Sequence, residues 1–400
     1  MFNRLFAFMV CATSLVPQSS LFAGEMVPPI SVRIVTLNVK EGIGAPGDSA
    51  RTAMGQFVTT IDHTPGDGAT GLLPDVVCIQ ECRSITNINS FRDEFLPGFN
   101  VNRVIGGDFG GNFNAILSAP EHAVLNVDVI DVGGPRDIIR VHLQPEKSLG
   151  VLSVYSAHYK AFTDASSQAR RTIEADNSGF LYDIEFANGA DVTDDGTPDF
   201  TPELTTIAFC GDLNSNNNGD GTLDGVFTHF MTGLPTGAQN LPFESIAGAG
   251  VGGAPIVSTF SSGSRLDYIA LDERSAMLFD ADMNGSLSQD ETNAFGFVYF
   301  SGDDGGDLSN GSATATSGAS DHRPVVADIL MAADPDQFFA LTDINEDDRT
   351  DIDDLALWEA LFSQGSAPDV NEDMAIDQAD LDEIRETIRA GEIADVTTTP

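Results

Sequence analysis

The sequence predicts an α+β fold, with two packed mixed sheets, helices outside them, and a small acidic unit at the C-terminal end. Three observations predict it. Short apolar, β-branched runs interleave with stretches of helical spacing. Several of those runs are joined by tight turns, and frequent hairpins favour two mixed sheets over one doubly wound parallel sheet. The composition also changes abruptly at Ala332-Ala333-Asp334-Pro335. From Asp334 onward 20 acids face 3 bases, whereas the preceding 333 residues carry 41 acids and 16 bases.

Residues 31–39 (SVRIVTLNV) alternate and form a strand reaching Asn38. A helix carrying Arg51 is predicted over 49–61. Pro74 opens a buried strand over 75–79 that delivers Gln80 and Glu81 at its end, and 85–95 read as helical. Residues 114–118 (NAILS) are a short strand. Residues 138–143 and 149–156 pair as a hairpin whose second arm ends at His158-Tyr159-Lys160. Helical spacing over 168–186 carries Arg170, Arg171 and Glu174. Residues 191–199 (DVTDDGTPD) form a solvated acidic turn. The apolar run 204–210 stops at Gly211 and is followed by Asp212 and Asn214. Period-two geometry puts those two on one side if extension continues past the glycine. A helix suits 222–232, strands suit 257–260 and 266–271, and a last strand over 324–331 follows Ser320-Asp321-His322.

Length allows one large domain and one small one. The net charge is −42, with a pI of about 4.1. Such a chain repels polyanions at long range and lacks the basic footprint of a sequence-independent DNA binder. Phosphate chemistry stays open, because a divalent cation inverts the sign inside one cleft. The N-terminus reads as a signal peptide over 1–23, with Arg4, an apolar stretch over 5–16 and a small residue at Ala23. That stretch is too short to span a membrane, and no later one is apolar enough. A secreted, periplasmic or cell-surface location follows. Beyond Cys11, three cysteines define no disulfide framework. Cys78 and Cys210 read as small buried residues, and a bridge involving Cys82 is left open.

Strand ends at Asn38, Glu81, His158 and Asp212 with Asn214 each finish in a polar group. Asp321 with His322 precedes the final strand, and Asp267 lies in the strand RLDYI. Singly, such residues cap turns; together, and in this order, they form a constellation. The series LNV, IQE, SAHYK, GDLN, RLDYI and SDHRPV resembles the endonuclease/exonuclease/phosphatase family over roughly residues 32–330. That family includes deoxyribonucleases, abasic-site endonucleases, sphingomyelinases and inositol-polyphosphate phosphatases. The resemblance implies a four-layer α/β/β/α sandwich over 30–331, with a metal-dependent phosphoester-hydrolysing site across the sheet edges.

The residue types suit that chemistry. In-line attack on a phosphodiester needs an activated water, a divalent cation and donors to the phosphoryl oxygens. Glu81 is the candidate for direct Mg²⁺ or Mn²⁺ coordination, with Asp321 and Asn38 completing or supporting the shell. Asp212 orients or deprotonates the water, and Asn214 donates to phosphate. His322 donates to a phosphoryl oxygen or protonates the leaving group, and Asp267 fixes its tautomer. By the resemblance, His158 stands where a phosphate-contacting His or Tyr occurs, and Asn114 matches a recurrent position. His63, His122 and His142 show no such pattern and read as surface or filler positions. Lys40, Arg51, Arg83, Arg136, Arg140 and Lys147 are scattered, so nucleic acid is an admissible substrate without a tight duplex-binding surface. A phosphomonoesterase of lipid or inositol phosphates is the competing enzymatic reading.

Three segments have calcium-loop patterns. Residues 280–291 fit the twelve-residue EF-hand loop, with Asp280, Asp282, Asn284, Ser286 and Glu291 at ligand positions and Gly285 at the turn. Within 334–395 an internal repeat aligns Asp343, Asn345, Asp347 and Asp354 with Asp369, Asn371, Asp373 and Asp380. Each loop is followed by a helical stretch, 355–362 and 381–388. The pair resembles a type I dockerin, a small α-helical calcium-loop domain, which implies Ca²⁺ and a cohesin-like partner. Asp348 and Met374 replace the usual turn glycine, where a positive φ is poorly tolerated. These loops also motivate a second class of function, a non-catalytic calcium-dependent adaptor.

Overall fold

The computed structural model describes residues 29–60, 74–105, 107–108, 110–215, 238–240, 266–272, 296–298 and 320–333, and in the C-terminal segment 352–363, 367, 370 and 384–385. The expected signal peptide, the loop 280–291, the helix 222–232 and the strand 257–260 lie outside the described residues. So do the C-terminal calcium-loop positions other than Asp354. His63 lies outside them as well. Residues 29–333 form one compact unit, and those from 334 onward belong to another.

In the larger unit twelve described strands form two six-stranded mixed sheets. The first contains β1 (Ile30–Asn38), β2 (Val76–Cys82), β3 (Asn100–Arg103), β4 (Phe113–Ser118), β11 (Gly296–Val298) and β12 (Val325–Met331). Their order across the sheet is β11-β12-β1-β2-β4-β3. The second contains β5 (Ala123–Ile130), β6 (Ile138–Gln144), β7 (Val151–His158), β8 (Thr205–Asp212), β9 (Ala238–Asn240) and β10 (Asp267–Asp272), in the order β5-β6-β7-β8-β10-β9. Strands β3, β5, β9 and β11 are additions to the sequence reading.

Period-two alternation decides where each core lies. Val154, Ala208 and Cys210 point into a cluster shared with Val35, Val77 and Ile329 of the first sheet, which also takes in Phe57 and Phe91 from the helices α1 (Ser49–Thr60) and α2 (Ile85–Phe95). Their neighbours Tyr155, Ile207 and Phe209 face the opposite way, against Ala175 and Tyr182 of α3 (Ala165–Asn188). The result is two sheets face to face with helices outside, the architecture that the interleaved runs predict. Arg51 is buried rather than a surface charge. It donates to Asn87 O, Ser90 Oγ and Glu94 and lies over the rings of Phe91 and Phe95, tying α1 to α2.

Three buried cysteines, Cys78, Cys82 and Cys210, are all free, which closes the open question of a Cys82 bridge. Burial pushes the Cys82 and Cys210 thiols far above the usual range, so both are inert. In the smaller unit α4 (Ile352–Ser363) covers the helix predicted over 355–362. Its Trp358 is buried with Ala367, Val370 and Ile384 and stacks on Phe362.

Gly211 is required by its position. Gly211 has φ +141°, and a Cβ there would stand 2.0 Å from the carbonyl oxygen of Ala157 on the neighbouring strand. Gly211→Ala therefore forces β7 and β8 apart one residue before Asp212. Denaturant unfolding is expected to show a loss of roughly 2–3 kcal/mol.

Candidate active site

The site is assembled by the register of the second sheet. Asp212, the last residue of β8, pairs with His158 on parallel β7 and with Asp267 on antiparallel β10. Three functional groups thus occupy adjacent rungs. The first sheet contributes Asn38 at the end of β1, and Glu81 from a break in the β2–β4 register between Ile79 and Cys82. Glu81 has φ +61°, a left-handed kink that re-aims its side chain off the ladder. Beneath the site Gln80 donates to Thr36 Oγ1 and, across the sheets, to Ser156 Oγ, both at 3.1 Å.

Asp212 Oδ2 is the meeting point. Asn38 Nδ2 donates to it at 2.9 Å, His158 Nε2 stands 3.4 Å away and His322 Nε2 3.7 Å away. Asn38 Nδ2 also reaches Glu81 Oε1 at 3.2 Å, so one buried carboxamide clamps two carboxylates. His322 Nδ1 is 2.8 Å from Asp267 Oδ2. Ser320 Oγ donates to Asn38 O and accepts from His322 N, fixing the segment that carries the histidine to the end of β1. Asn38, Glu81, His158, Asp212, Asp267 and His322, spread over almost three hundred residues of sequence, are therefore in one linked cluster.

The electrostatics differ for each group. Burial, reinforced by the charge of Asp267, raises the Asp212 carboxyl to about 7 despite the opposing His322 charge and Asn38 hydrogen bond. Burial lowers the affinity of His322 for a proton, but the charge and hydrogen bond of Asp267 with the charges of Asp212 and Asp321 outweigh it, raising it to about 10. His158 moves the other way: burial, then the charges of Arg136, His322 and Lys160, hold it well below the usual histidine range. The site thus has an imidazolium at 322, a neutral imidazole at 158 and a carboxyl at 212 poised near neutrality.

Two expectations change. Extension ends at Asp212 and does not reach Asn214. Asn214 is left-handed at φ +49°, its N–H closes a turn onto Asp212 Oδ1, and its carboxamide donates to Tyr159 O. It supports the site rather than standing beside Asp212 on one face. Of the histidines read as surface or filler positions, His122 and His142 are buried. His142 Nε2 is 2.9 Å from Glu185, and His122 accepts from Glu146 N through Nδ1 with Nε2 3.4 Å from Asp75. A histidine's partner comes from tertiary structure, which local pattern does not report. Arg136, expected to be scattered, lies 3.0 Å from Asp108 and donates to Tyr159 O beside the site. Asn114 is buried and donates to Asp137 O.

The donor set fits a hard divalent cation. Four carboxylates, Glu81, Asp212, Asp267 and Asp321, face two cations, Lys40 and His322, and oxygen donors predominate. Glu81 and Asp321, with side chains 20% and 27% exposed, are the carboxylates open to solvent. Asp212, Asp267 and His322 also bring ligand atoms within 4.8 Å of one another. Because His322 Nδ1 is engaged with Asp267, that trio is better suited to proton handling. Asp321 Oδ2 is 3.0 Å from Lys40 Nζ, and Asn38 Oδ1 accepts from Lys40 N. With Asn38 Oδ1 and Asp321 Oδ2 both engaged by Lys40, Glu81 is the stronger ligand candidate, and Asn38 and Asp321 stand in support. No described helix is long and apolar enough to cross a membrane.

No protein-family model matches the chain, and no curated protein does. Solved structures do resemble it. Humanized TDP2 of D. rerio has a TM-score of 0.45 at 15% identity, over 75% of this chain and 98% of that one. The human Nocturnin catalytic domain with bound sulfate gives 0.46 at 13%, over 76% and 96%. An endonuclease/exonuclease/phosphatase family protein from Bacteroides thetaiotaomicron gives 0.44 at 15%, over 76% and 99%. These are likenesses of chain path; the chemistry of this chain is derived from its own side chains.

Proposed function

We propose that this chain is an exported, divalent-cation-dependent phosphoester hydrolase, acting on phosphodiesters by in-line attack of water. The observation that carries the reading is the ring of donors around Asp212 Oδ2, built from ends of both sheets. A charged His322, a base-competent Asp212 and an accessible carboxylate at Glu81 are what displacement at phosphorus requires. The motif order described above supports the same reading.

Asp212 Oδ2 takes the proton from the attacking water, its basicity raised by burial and by Asp267. Asn38 keeps Asp212 and Glu81 at a fixed separation while this happens. His322 presents Nε2–H to a phosphoryl oxygen or to the leaving oxygen, and Asp267 holds its other nitrogen. His158, neutral, faces the carboxylates with Nε2 and donates without adding charge. Glu81, with Asn38 and Asp321 in support, would hold Mg²⁺ or Mn²⁺, which would supply Lewis-acid polarisation of the phosphoryl group. The N-terminal apolar segment supports export. The loop 280–291 and the repeat within 334–395 support structural Ca²⁺ and a cohesin-like partner for the tail.

The test is a panel of DNA, RNA, a chromogenic phosphodiester and a chromogenic phosphomonoester, with Mg²⁺ or Mn²⁺. Diester hydrolysis is expected to fall to background with excess EDTA and to return on adding back Mg²⁺ or Mn²⁺. Turnover indifferent to chelation, or confined to the monoester, rejects the assignment as written.

A further inference from the structure

The segment that follows His158 is held more firmly than a connecting loop requires. Tyr159 N donates to Asp212 O, and Tyr159 O accepts from Asn214 and Arg136. Lys160 N donates to Glu174 Oε2 at 2.8 Å. Arg171 Nη1 donates to Lys160 O at 2.7 Å and to Phe162 O at 2.6 Å. Glu174 and Arg171, both on α3, are 0% and 3% exposed. Asp164 then caps α3 by accepting from Ser166 N and Ser167 N. Two buried charged side chains are thus committed to the backbone of a surface segment.

That backbone presents Phe162, whose side chain faces water. The residue is 71% exposed and has φ +81°, a left-handed conformation that a bulky L-residue rarely adopts. Lys160 Nζ lies 4.5 Å from the centroid of its ring, a cation–π distance. Strain enforced by surrounding structure around an exposed group is a mark of function. Four residues cannot carry the Phe162 backbone further than roughly 14 Å from His158, and Lys160, whose ammonium lies over the Phe162 ring, is near enough for its charge to act on His158. The ring carries no net charge, unlike the carboxylate-rich centre, and the adjacent ammonium favours an anionic ligand.

We infer that Phe162, oriented by Arg171 and Glu174 and flanked by Lys160, is a stacking platform for a nucleobase joined to the phosphate at the active site. The inference rests on the phosphoesterase reading and narrows its substrates to nucleotide-containing esters. Aromatic stacking tolerates any base, because every base has a π-face. It therefore asks for no basic duplex-binding surface.

The experiment is calorimetric binding to the full-length protein with Mg²⁺, comparing adenosine 5′-monophosphate with ribose 5-phosphate, alongside the hydrolysis panel. The native protein is expected to bind the nucleotide at least roughly tenfold more tightly. Phe162→Ala should abolish that preference and leave ribose 5-phosphate affinity unchanged, and Phe162→Tyr should retain it. Equal affinities in the native protein, or a preference that survives Phe162→Ala, overturn the platform even if phosphoesters are hydrolysed. If neither ligand binds and no phosphoester is hydrolysed, the underlying phosphoesterase reading falls, and the platform with it.

Discussion

Asp212→Ala is expected to lower kcat/KM for a chromogenic phosphodiester by roughly 10³-fold, within the range for loss of a positioned general base. The reason is geometric. Asp212 Oδ2 receives Asn38 and faces both site histidines, so no neighbouring carboxylate can replace it from its own rung. Asp212→Asn keeps the shape and removes the basicity, and should be almost as poor. Native turnover should fall as pH drops through about 7, because Asp212 becomes protonated and cannot accept another proton. A bound divalent cation favours the carboxylate and moves that limb to lower pH. At the other end activity should fall as pH rises through about 10, where His322 loses its proton. Retention of full activity in Asp212→Asn, or an acid limb unchanged by that substitution, removes Asp212 from the proton-transfer step.

The second large effect belongs to His322 and Asp267. His322→Ala is expected to cost roughly 10² to 10³-fold in kcat with a smaller change in KM, since its Nε2–H acts on charge that develops in the transition state. Asp267→Asn leaves the volume in place but removes the charge that keeps His322 protonated. Its alkaline limb should move toward the ordinary histidine range near 6.5, with a loss of up to about fourfold at pH 7, where such an imidazole is about one-quarter protonated. The two residues act as one unit, so the double variant should be scarcely worse than His322→Ala alone. Multiplicative losses would mean that Asp267 works through something other than the imidazole.

The legible parts of the sequence were those where a buried strand stops at a polar residue. The ends of β1, β7 and β8 are marked by a change from apolar to Asn, His and Asp, and pairing then brings those ends together. Glu81 was legible as a strand-end acid, though not its left-handed kink. Asn214 illustrates why spacing misleads beside glycine: φ of +141° at Gly211 and +49° at Asn214 breaks the period-two rule. Gln80, Arg171 and Glu174 are named from the sequence, but their work depends on partners 9 to 76 positions away, and no local pattern states those pairings. The half-exposed strand β5 was missed because one of its faces meets solvent, which blurs the apolar signal.

The adjacent rungs of His158, Asp212 and Asp267 make the proposed chemistry hostage to the ladder. Deleting one residue from β8 would turn Asp212 toward the opposite face and bring an apolar neighbour into its place. The segments beyond the strand ends are free of that discipline. Lengthening or exchanging them leaves the reacting groups aligned, so this scaffold can diversify what it recognises while its bond-breaking apparatus stays constant.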